Sequence, residues 1–236
     1  MANVCRDWVH DAPGDDVVWT FDGADAGVET FIGKADSSEF FAFKGVGVVD
    51  APLAKVANVL IDTSRHHEWV PHFGGMRVVR AVSEKEKIIY RHVLTPFIIS
   101  DRDFVVHVKV NRDDRSDHLV INFRSVEDSD VPVSDDKVRG MLHSSGYRLW
   151  SIDSGKRTMV LFTVHVDPKG NVPAWIVNLF QSGYARNNLE NIRAQAARGD
   201  VVAHPDVAAL FKNSKASCEA GPMGEAHAGG KDNTDT

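Results

Sequence analysis

The sequence changes from a strand pattern to a helix pattern in the stretch Asp167-Pro168-Lys169-Gly170-Asn171-Val172-Pro173-Ala174-Trp175-Ile176-Val177-Asn178. Before it, residues 156 to 166 alternate between apolar and other positions, which predicts a strand with one buried face. After it, Pro173 is a residue that the first turn of a helix tolerates, and apolar residues recur at helical spacing to about Arg198. The sequence therefore predicts that its last strand leads directly into a long helix.

Most of the chain upstream of this stretch has the two-residue alternation of β-strands. The predicted strands lie around 16–22, 28–34, 39–49, 77–82, 86–95, 102–111, 118–126, 138–151 and 156–166. Short polar connectors between most of them imply antiparallel neighbours. We predict additional helices near residues 3–10, between Pro52 and Asp62, and near 205–212. The segment from Ser214 onward has almost no large apolar side chains, so we predict one domain over 1–212 and a disordered tail over 213–236.

The composition fits a globular protein with one sizeable core. Of the 236 residues, 43% are hydrophobic and 25% are charged, and the formal net charge is -6. An acidic chain without a basic run is a poor nucleic-acid binder. Because Cys5 and Cys218 are the only cysteines, the chain cannot build a disulfide framework or a cysteine-ligated metal site. No apolar leader or membrane-length apolar run is present, so we expect a cytoplasmic protein that does not span a membrane. We also expect it to be a monomer.

Two predicted strands each have one strongly apolar face. These faces consist of Phe104, Val106, Val108 and Val110 in one strand and of Val160, Phe162, Val164 and Val166 in the other. Something must cover both faces. The residues alone leave two interpretations open: a closed core beneath the long helix, or a cavity for a ligand.

The long helix has two apolar stripes that point in different directions. The first contains Val172, Trp175, Ile176, Leu179, Phe180 and Gly183, and the second contains Ala185, Leu189, Ile192 and Ala196. Two explanations of Gly183 remain open: the helix bends there, or it passes from one packing partner to another.

Three segments together resemble the START (steroidogenic acute regulatory protein-related lipid transfer) domain family. They are the stretch from Asp167 to Asn178, the turn Ser100-Asp101-Arg102-Asp103-Phe104-Val105, and the loop Glu68-Trp69-Val70-Pro71. In order and spacing, the resemblance extends over roughly residues 8 to 198. It implies an α+β helix-grip fold, in which a curved antiparallel β-sheet wraps around a long C-terminal α-helix and encloses a lipid-sized tunnel.

The resemblance also implies a function and a set of candidate ligand-binding residues. The protein is expected to hold one hydrophobic ligand, such as a phospholipid or sterol, in the tunnel, and to contact membranes transiently. We hypothesise that the C-terminal helix moves with the loop from Trp69 to Phe73 to open the tunnel, and Gly183 is the candidate hinge. No cofactor, metal or catalytic residue is expected. The candidate ligand-binding residues are Trp69, Tyr90, His92, Val106, Val108, Phe123, Tyr147, Phe162, Val164, Trp175, Ile176, Leu179 and Phe180.

The identity of the ligand stays open because the sequence departs from a family pattern. Sterol-carrying members similar to this chain place a buried arginine, with an acidic partner, six residues after the arginine of the Arg-Asp-Phe turn, and here that position is Val108. A sterol hydroxyl would then need another partner, for which the candidates are Arg91, His92 and Arg148. Choline would need an aromatic cage, for which the candidates are Tyr90, Phe123, Tyr147 and Trp150.

Alternative functions depend on polar groups. Three histidines and Glu68 lie between Arg65 and His72, but their spacing does not suit zinc. Asp101 and Asp103 more plausibly make structural ion pairs than an acid/base pair.

Polyketide cyclases and aromatases of the wider helix-grip superfamily need inward-facing acid/base groups, and the candidates are Arg91, His92, His107 and Arg148. A third alternative is a lipid-sensing interaction module. An almost wholly aliphatic cavity wall favours carriage, and two or more convergent titratable groups favour catalysis.

Overall fold

A computed structural model of the protein describes residues 17–95, 99–114, 117–172 and 183–212. The helix predicted near residues 3–10, the predicted tail over 213–236 and the part of the long helix from 173 to 182 lie outside the described residues. The extent of the single domain and the character of the tail therefore stay predictions.

The described residues form a large sheet accompanied by a few helices. The strands are β1 Val17–Asp25, β2 Val28–Ala35, β3 Ala42–Val49, β4 Phe73–Ser83, β5 Glu86–Val93, β6 Arg102–Asp113, β7 His118–Ser125, β8 Val138–Arg139, β9 Met141–Leu142, β10 Ser145–Ile152 and β11 Arg157–Asp167. The α-helices are α1 Leu53–Ile61, α2 Tyr184–Ala197 and α3 Pro205–Leu210, and short 3-10 helices cover Thr63–Glu68 and Asp153–Gly155. Among the described residues, no helix combines the length and apolar character needed to cross a membrane.

The sheet is open, curved and largely antiparallel, as predicted. Its strand order is β1-β2-β3-β11-β10-β7-β6-β5-β4, and all neighbours along this path are antiparallel. The short strand β8 pairs in parallel with β6, and β9 pairs with β11. This order brings the last strand, β11, to the middle of the sheet beside β3. The chain therefore enters the segment after Asp167 from a central strand.

One predicted strand was wrong in its extent. The run over 138–151 divides into β8, β9 and β10, because its first part pairs with β6 and its second with β11 before β10 begins. Gly140 lies at the division, where an added Cβ atom would approach the Phe104 ring to 2.4 Å. Alternation along the chain cannot reveal such a change of partner, since it records only which face each residue occupies.

Helix α2 packs against the inner face of the sheet through the second predicted apolar stripe. Ala185, Leu189, Ile192 and Ala196 are all buried, which confirms that stripe. The helix approaches β3 closely at Gly45, where a Cβ atom would lie 3.1 Å from the Cβ of Ala185. The glycine therefore allows the helix backbone to lie against the strand.

The Arg-Asp-Phe turn is tied to the strand-to-helix segment by hydrogen bonds. The buried guanidinium of Arg102 donates to the carbonyl oxygens of Pro168 at 3.3 Å and Lys169 at 3.2 Å, and also to that of Ser100. The next residue, Asp103, forms a two-pronged ion pair with Arg139, with Nε at 2.8 Å and Nη2 at 3.1 Å. The carboxylate of Asp101 also has structural partners: His92 Nε2 lies at 2.8 Å, and the backbone N–H of Thr95 donates to it at 2.9 Å. The structural interpretation of these acidic residues is confirmed.

Candidate ligand cavity

A cavity of about 270 Å³ lies between the inner face of the sheet, the end of α1 with the loop that follows it, and the start of α2. Most of its wall is aliphatic or aromatic. The described residues that line it are Leu60, Ile61, Thr63, His66, Trp69, Val70, Pro71, His72, Met76, Lys87, Ile89, Arg91, Val93, Phe104, Val106, Val108, Val110, Ile121, Phe123, Leu142, Ser145, Tyr147, Phe162, Val164, Val166, Tyr184 and Asn188. Of the two interpretations that the sequence left open, the described residues therefore agree with the hollow one.

Strand alternation positions the apolar wall. Residues at every second position of β6, from Phe104 to Val110, point into the cavity, and Phe162, Val164 and Val166 of β11 do the same. Val160 belongs to the buried core beyond the cavity wall. Both apolar faces that the sequence predicted thus lie on the inner side of the sheet.

The sequence-predicted ligand residues fall into three groups. The cavity is lined by Trp69, Val106, Val108, Phe123, Tyr147, Phe162 and Val164, whereas Trp175, Ile176, Leu179 and Phe180 lie outside the described residues. Tyr90 and His92 require a correction, because neither lines the cavity. Since Arg91 points inward, its two neighbours on β5 point to the opposite face. There the Tyr90 ring lies 5.3 Å from the Arg77 guanidinium, and His92 contacts Asp101.

The candidates for a choline cage also divide between the two faces. Phe123 and Tyr147 meet edge to face at 5.8 Å in the cavity wall, and Tyr147 stacks on Phe162 at 4.6 Å. Trp150 instead stacks on His118 at 4.7 Å in a cluster on the other face of the sheet. A further aromatic residue, Tyr184, lines the cavity from the start of α2 and was not among the candidates. Arg148 follows Tyr147 on β10, so it also points away from the cavity.

A buried hydrogen bond joins the cavity wall to helix α2. The hydroxyl of Tyr147 donates to Oδ1 of Asn188 at 3.0 Å, and both side chains are buried. Burial raises the pKa of Tyr147, so its hydroxyl stays protonated. Sequence reasoning missed Asn188, although an amide between Ala185 and Leu189 on the buried side of an amphipathic helix is a recognisable signal.

One end of the cavity carries basic groups. His66 Nε2 lies 3.1 Å from the carbonyl oxygen of Leu60, and burial lowers the pKa of His66 to about 4, assisted by the positive charges of Arg91 and Lys87. Lys87 Nζ donates to the carbonyl oxygen of Ile61 at 3.4 Å, and burial lowers the pKa of Lys87. The Nε atom of Arg91 is buried and has no hydrogen-bond partner. Sequence reasoning nominated Arg91 but missed Lys87, and it considered His66 only as a metal ligand.

The family model described as START domain matches residues 3–195 of the chain. The chain belongs to the START domain family. Human StAR-related lipid transfer protein 5 has a similar fold, with a TM-score of 0.71 and 19% identity over 81% of this chain and 91% of that chain. The human protein STARD10 has a TM-score of 0.73 and 18% identity over 88% of this chain and 82% of that one.

A bacterial relative matches most of this START chain in sequence. The uncharacterized protein PA1579 of Pseudomonas aeruginosa is 22% identical over 180 residues, which cover 76% of this chain and 87% of that protein. At these identities, the solved structures establish the fold alone. The activity of this START protein must therefore be argued from its own cavity.

The histidine-rich loop of this START domain is held by ion pairs and hydrogen bonds. The carboxylate of Glu68 accepts hydrogen bonds from Arg65 at 2.7 Å and 2.8 Å and from Gln195 at 2.7 Å. These contacts lower the pKa of Glu68 to about 2. Within the described ranges, no group of three or more histidine, cysteine or acidic residues is placed to hold a metal ion. The contact between Gln195 and Glu68 ties the 3-10 helix to α2.

Proposed function

We propose that this START protein binds one hydrophobic ligand in the cavity and carries it through water. The observation that supports the proposal is the cavity itself, which is walled by the aliphatic faces of β6 and β11 and by the aromatic group around Tyr147. Its volume of about 270 Å³ lies near the lower end of small-molecule sites, so a ligand with one chain suits it best.

The carriage mechanism is the shielding of apolar surface from water. Each methylene group removed from water contributes about 0.8 kcal/mol, so ten enclosed methylenes contribute about 8 kcal/mol. This is enough to offset much of the cost of removing a single-chain amphiphile from a bilayer. Carriage also requires transient contact with membranes in the cytoplasm, and transfer of a labelled lipid between donor and acceptor vesicles would measure that step.

A cavity-filling substitution tests whether the ligand occupies this space. Val108 lines the cavity and is buried, so Val108→Phe inserts a ring into the space that the ligand would use. The matched control is Val82→Phe on β4, where the side chain is 53% exposed. Binding is measured with Nile red, a neutral dye that fluoresces in apolar sites, and with oleyl alcohol as the competitor.

We expect Val108→Phe to weaken the binding of both probes at least about tenfold, because a ring that displaces two or more methylene-sized groups of the ligand costs about 1.6 kcal/mol or more. The Val82→Phe control should bind as the unmodified protein does. Equal binding by both variants would show that the probes bind elsewhere. Native mass spectrometry of the protein purified from its host would then identify any ligand that the cavity retains.

A helix-grip enzyme is the second candidate function, and the basic end of the cavity favours it. His66, Lys87 and Arg91 are convergent titratable groups, and the buried Nδ1 of His66 has no hydrogen-bond partner. A neutral imidazole of this kind is able to accept a proton from a substrate. The test is to incubate the co-purified ligand with the protein and with a His66→Gln variant. Recovery of unchanged ligand from both samples supports carriage, whereas a change that requires His66 supports catalysis.

A further inference from the structure

Two cationic side chains of β5 point into the apolar cavity. Lys87 and Arg91 share the inward face of the strand with Ile89, because residues two apart in a strand lie on one face. Their cross-strand partners in β6 are Val108 for Lys87 and Phe104 for Arg91, and both of these also line the cavity. The positive charges therefore lie beside aliphatic and aromatic groups.

The described residues provide no opposite charge inside the cavity. None of those that line it is Asp or Glu, and the sequence of residues 173–182 contains neither. Asp62 is the acidic residue whose charge acts on Lys87, but its carboxylate accepts hydrogen bonds from the backbone N–H and hydroxyl of Ser64 at 3.1 Å and 2.5 Å. The buried Nε of Arg91 has no hydrogen-bond partner. A buried, positively charged N–H donor without an acceptor is costly, so this arrangement favours a ligand that brings the missing acceptor.

Two other arginines of the molecule show how the fold accommodates a guanidinium away from the cavity. Arg102 donates to backbone carbonyl oxygens, including those of Pro168 and Lys169. Arg139 forms its two-pronged ion pair with the buried carboxylate of Asp103. The buried Nε of Arg91 has neither kind of partner among the described residues, and Arg91 lines the cavity.

We propose that the cavity selects amphiphiles whose polar end is anionic, a carboxylate or a phosphate, and that Arg91 binds this group while the apolar walls hold the chain. This inference rests on the proposed function, because it names the ligand class for the same cavity. A guanidinium offers two parallel N–H donors that match two oxygens of a carboxylate or phosphate. Lys87 adds a second positive charge on the same face of β5. A neutral alcohol leaves the charge of Arg91 without an opposite charge in the cavity and binds less tightly.

The test compares head groups on one chain. Delipidated full-length protein is loaded with Nile red, and the dye is displaced at about pH 8 by oleate, by 1-oleoyl-lysophosphatidate or by oleyl alcohol. The variants are Arg91→Met, Arg91→Lys and the control Arg77→Met. Arg77 lies on β4 next to Met76, which is the cross-strand partner of Arg91. The side chain of Arg77 is exposed and lies against the Tyr90 ring on the outer face of the sheet. The control therefore removes the same charge close by, on the other side of the sheet.

We expect the unmodified protein and Arg77→Met to bind an anionic probe at least about tenfold more tightly than oleyl alcohol. Arg91→Met should weaken binding of the anion about 10- to 100-fold, the range for a hydrogen-bonded charge, and leave oleyl alcohol binding unchanged or tighter. Arg91→Lys should keep part of the preference, because it keeps the charge without the planar pair of donors. Stronger binding of oleate than of lysophosphatidate assigns a carboxylate, and the reverse order assigns a phosphate.

The outcomes separate this inference from the proposed function. If oleyl alcohol binds the unmodified protein as tightly as both anionic probes, the anion preference is wrong and the carrier proposal stands. The same conclusion follows if a folded Arg91→Met variant, checked by thermal unfolding, keeps the full preference. If neither Nile red nor any amphiphile binds, the carrier proposal itself fails. The head-group comparison on the unmodified protein needs no variant, so the inference can be overturned even if Arg91→Met does not fold.

Discussion

Replacing Arg102 by methionine should destabilise the protein by separating the two segments that its guanidinium joins. In the folded protein the guanidinium donates to the carbonyl oxygens of Pro168 and Lys169 at 3.3 Å and 3.2 Å, and to that of Ser100. A hydrogen bond from a charged donor is worth about 1.5–3 kcal/mol when it is fully buried. Ser100 and Lys169 are exposed, so water will partly replace the lost donors. We therefore assign ~1 kcal/mol to each carbonyl and about 3 kcal/mol to the substitution.

Urea unfolding followed by far-ultraviolet circular dichroism measures this loss, and thermal unfolding gives a second readout. For a domain of this size, a loss of about 3 kcal/mol should lower Tm by ~6–12 °C. Arg102→Lys keeps the charge but reaches fewer carbonyls, so we expect about half the effect. The exposed Arg77→Met substitution is the control for the removal of one positive charge. A free energy of unfolding for Arg102→Met within about 0.5 kcal/mol of the unmodified value would refute the claim that these bonds join the segments.

Three further predictions concern buried groups. Because burial lowers the pKa of His66 in the folded protein from the ordinary value of 6.5 to about 4, the unfolded state binds more protons between these values, so stability should fall as the pH drops from 6.5 to 4. Comparing urea unfolding at about pH 7.5 and pH 5, the unmodified protein should lose ~2 kcal/mol more than His66→Gln, and equal losses would contradict the assignment. A double-mutant cycle of Tyr147→Phe and Asn188→Ala should give a coupling energy of ~1 kcal/mol, and a value of zero would show that the hydrogen bond does not stabilise the protein. Gly146→Ala should destabilise the protein by about 2 kcal/mol or more in thermal unfolding, because its Cβ atom would lie 2.1 Å from the carbonyl oxygen of Ile121, and a neutral result would contradict the close approach of β7 and β10.

The sequence predicted the sheet and its apolar faces because each observation needed only local spacing. Val106 and Phe162 alternate with other residues along their strands, and both faces line the cavity. The buried stripe of α2, from Ala185 to Ala196, followed from helical spacing in the same way. Periodicity determines which residues share a face, and strongly apolar faces must be buried.

The inward face of β5 could not be predicted in this way. Ile88 and Ile89 are both buried, on opposite faces of the sheet, so the strand has apolar residues on each side. Alternation along β5 places Lys87 and Arg91 on one face of the strand and Tyr90 on the other, but it does not tell which face points into the cavity. From the sequence, Tyr90 is assigned to the cavity because a choline group would need an aromatic cage. The structure places the two cations there, because β5 pairs with β6 in the register that sets Arg91 opposite Phe104.

The register of β5 and β6 also shows which residue lies next to Val108, the position where this chain departs from the pattern of similar sterol-carrying members. The strand position that carries a buried arginine in similar sterol-carrying members is valine here, and its direct cross-strand partner is Lys87. Residues opposite each other in antiparallel strands have Cβ atoms about 5 Å apart, so a cation still lies next to that position, on the neighbouring strand. The acidic partner that accompanies the arginine in those members has no counterpart among the described lining residues. A cavity that carries positive charge but has no acidic residue among its described lining residues favours a ligand that carries the negative charge itself, since that charge compensates Arg91.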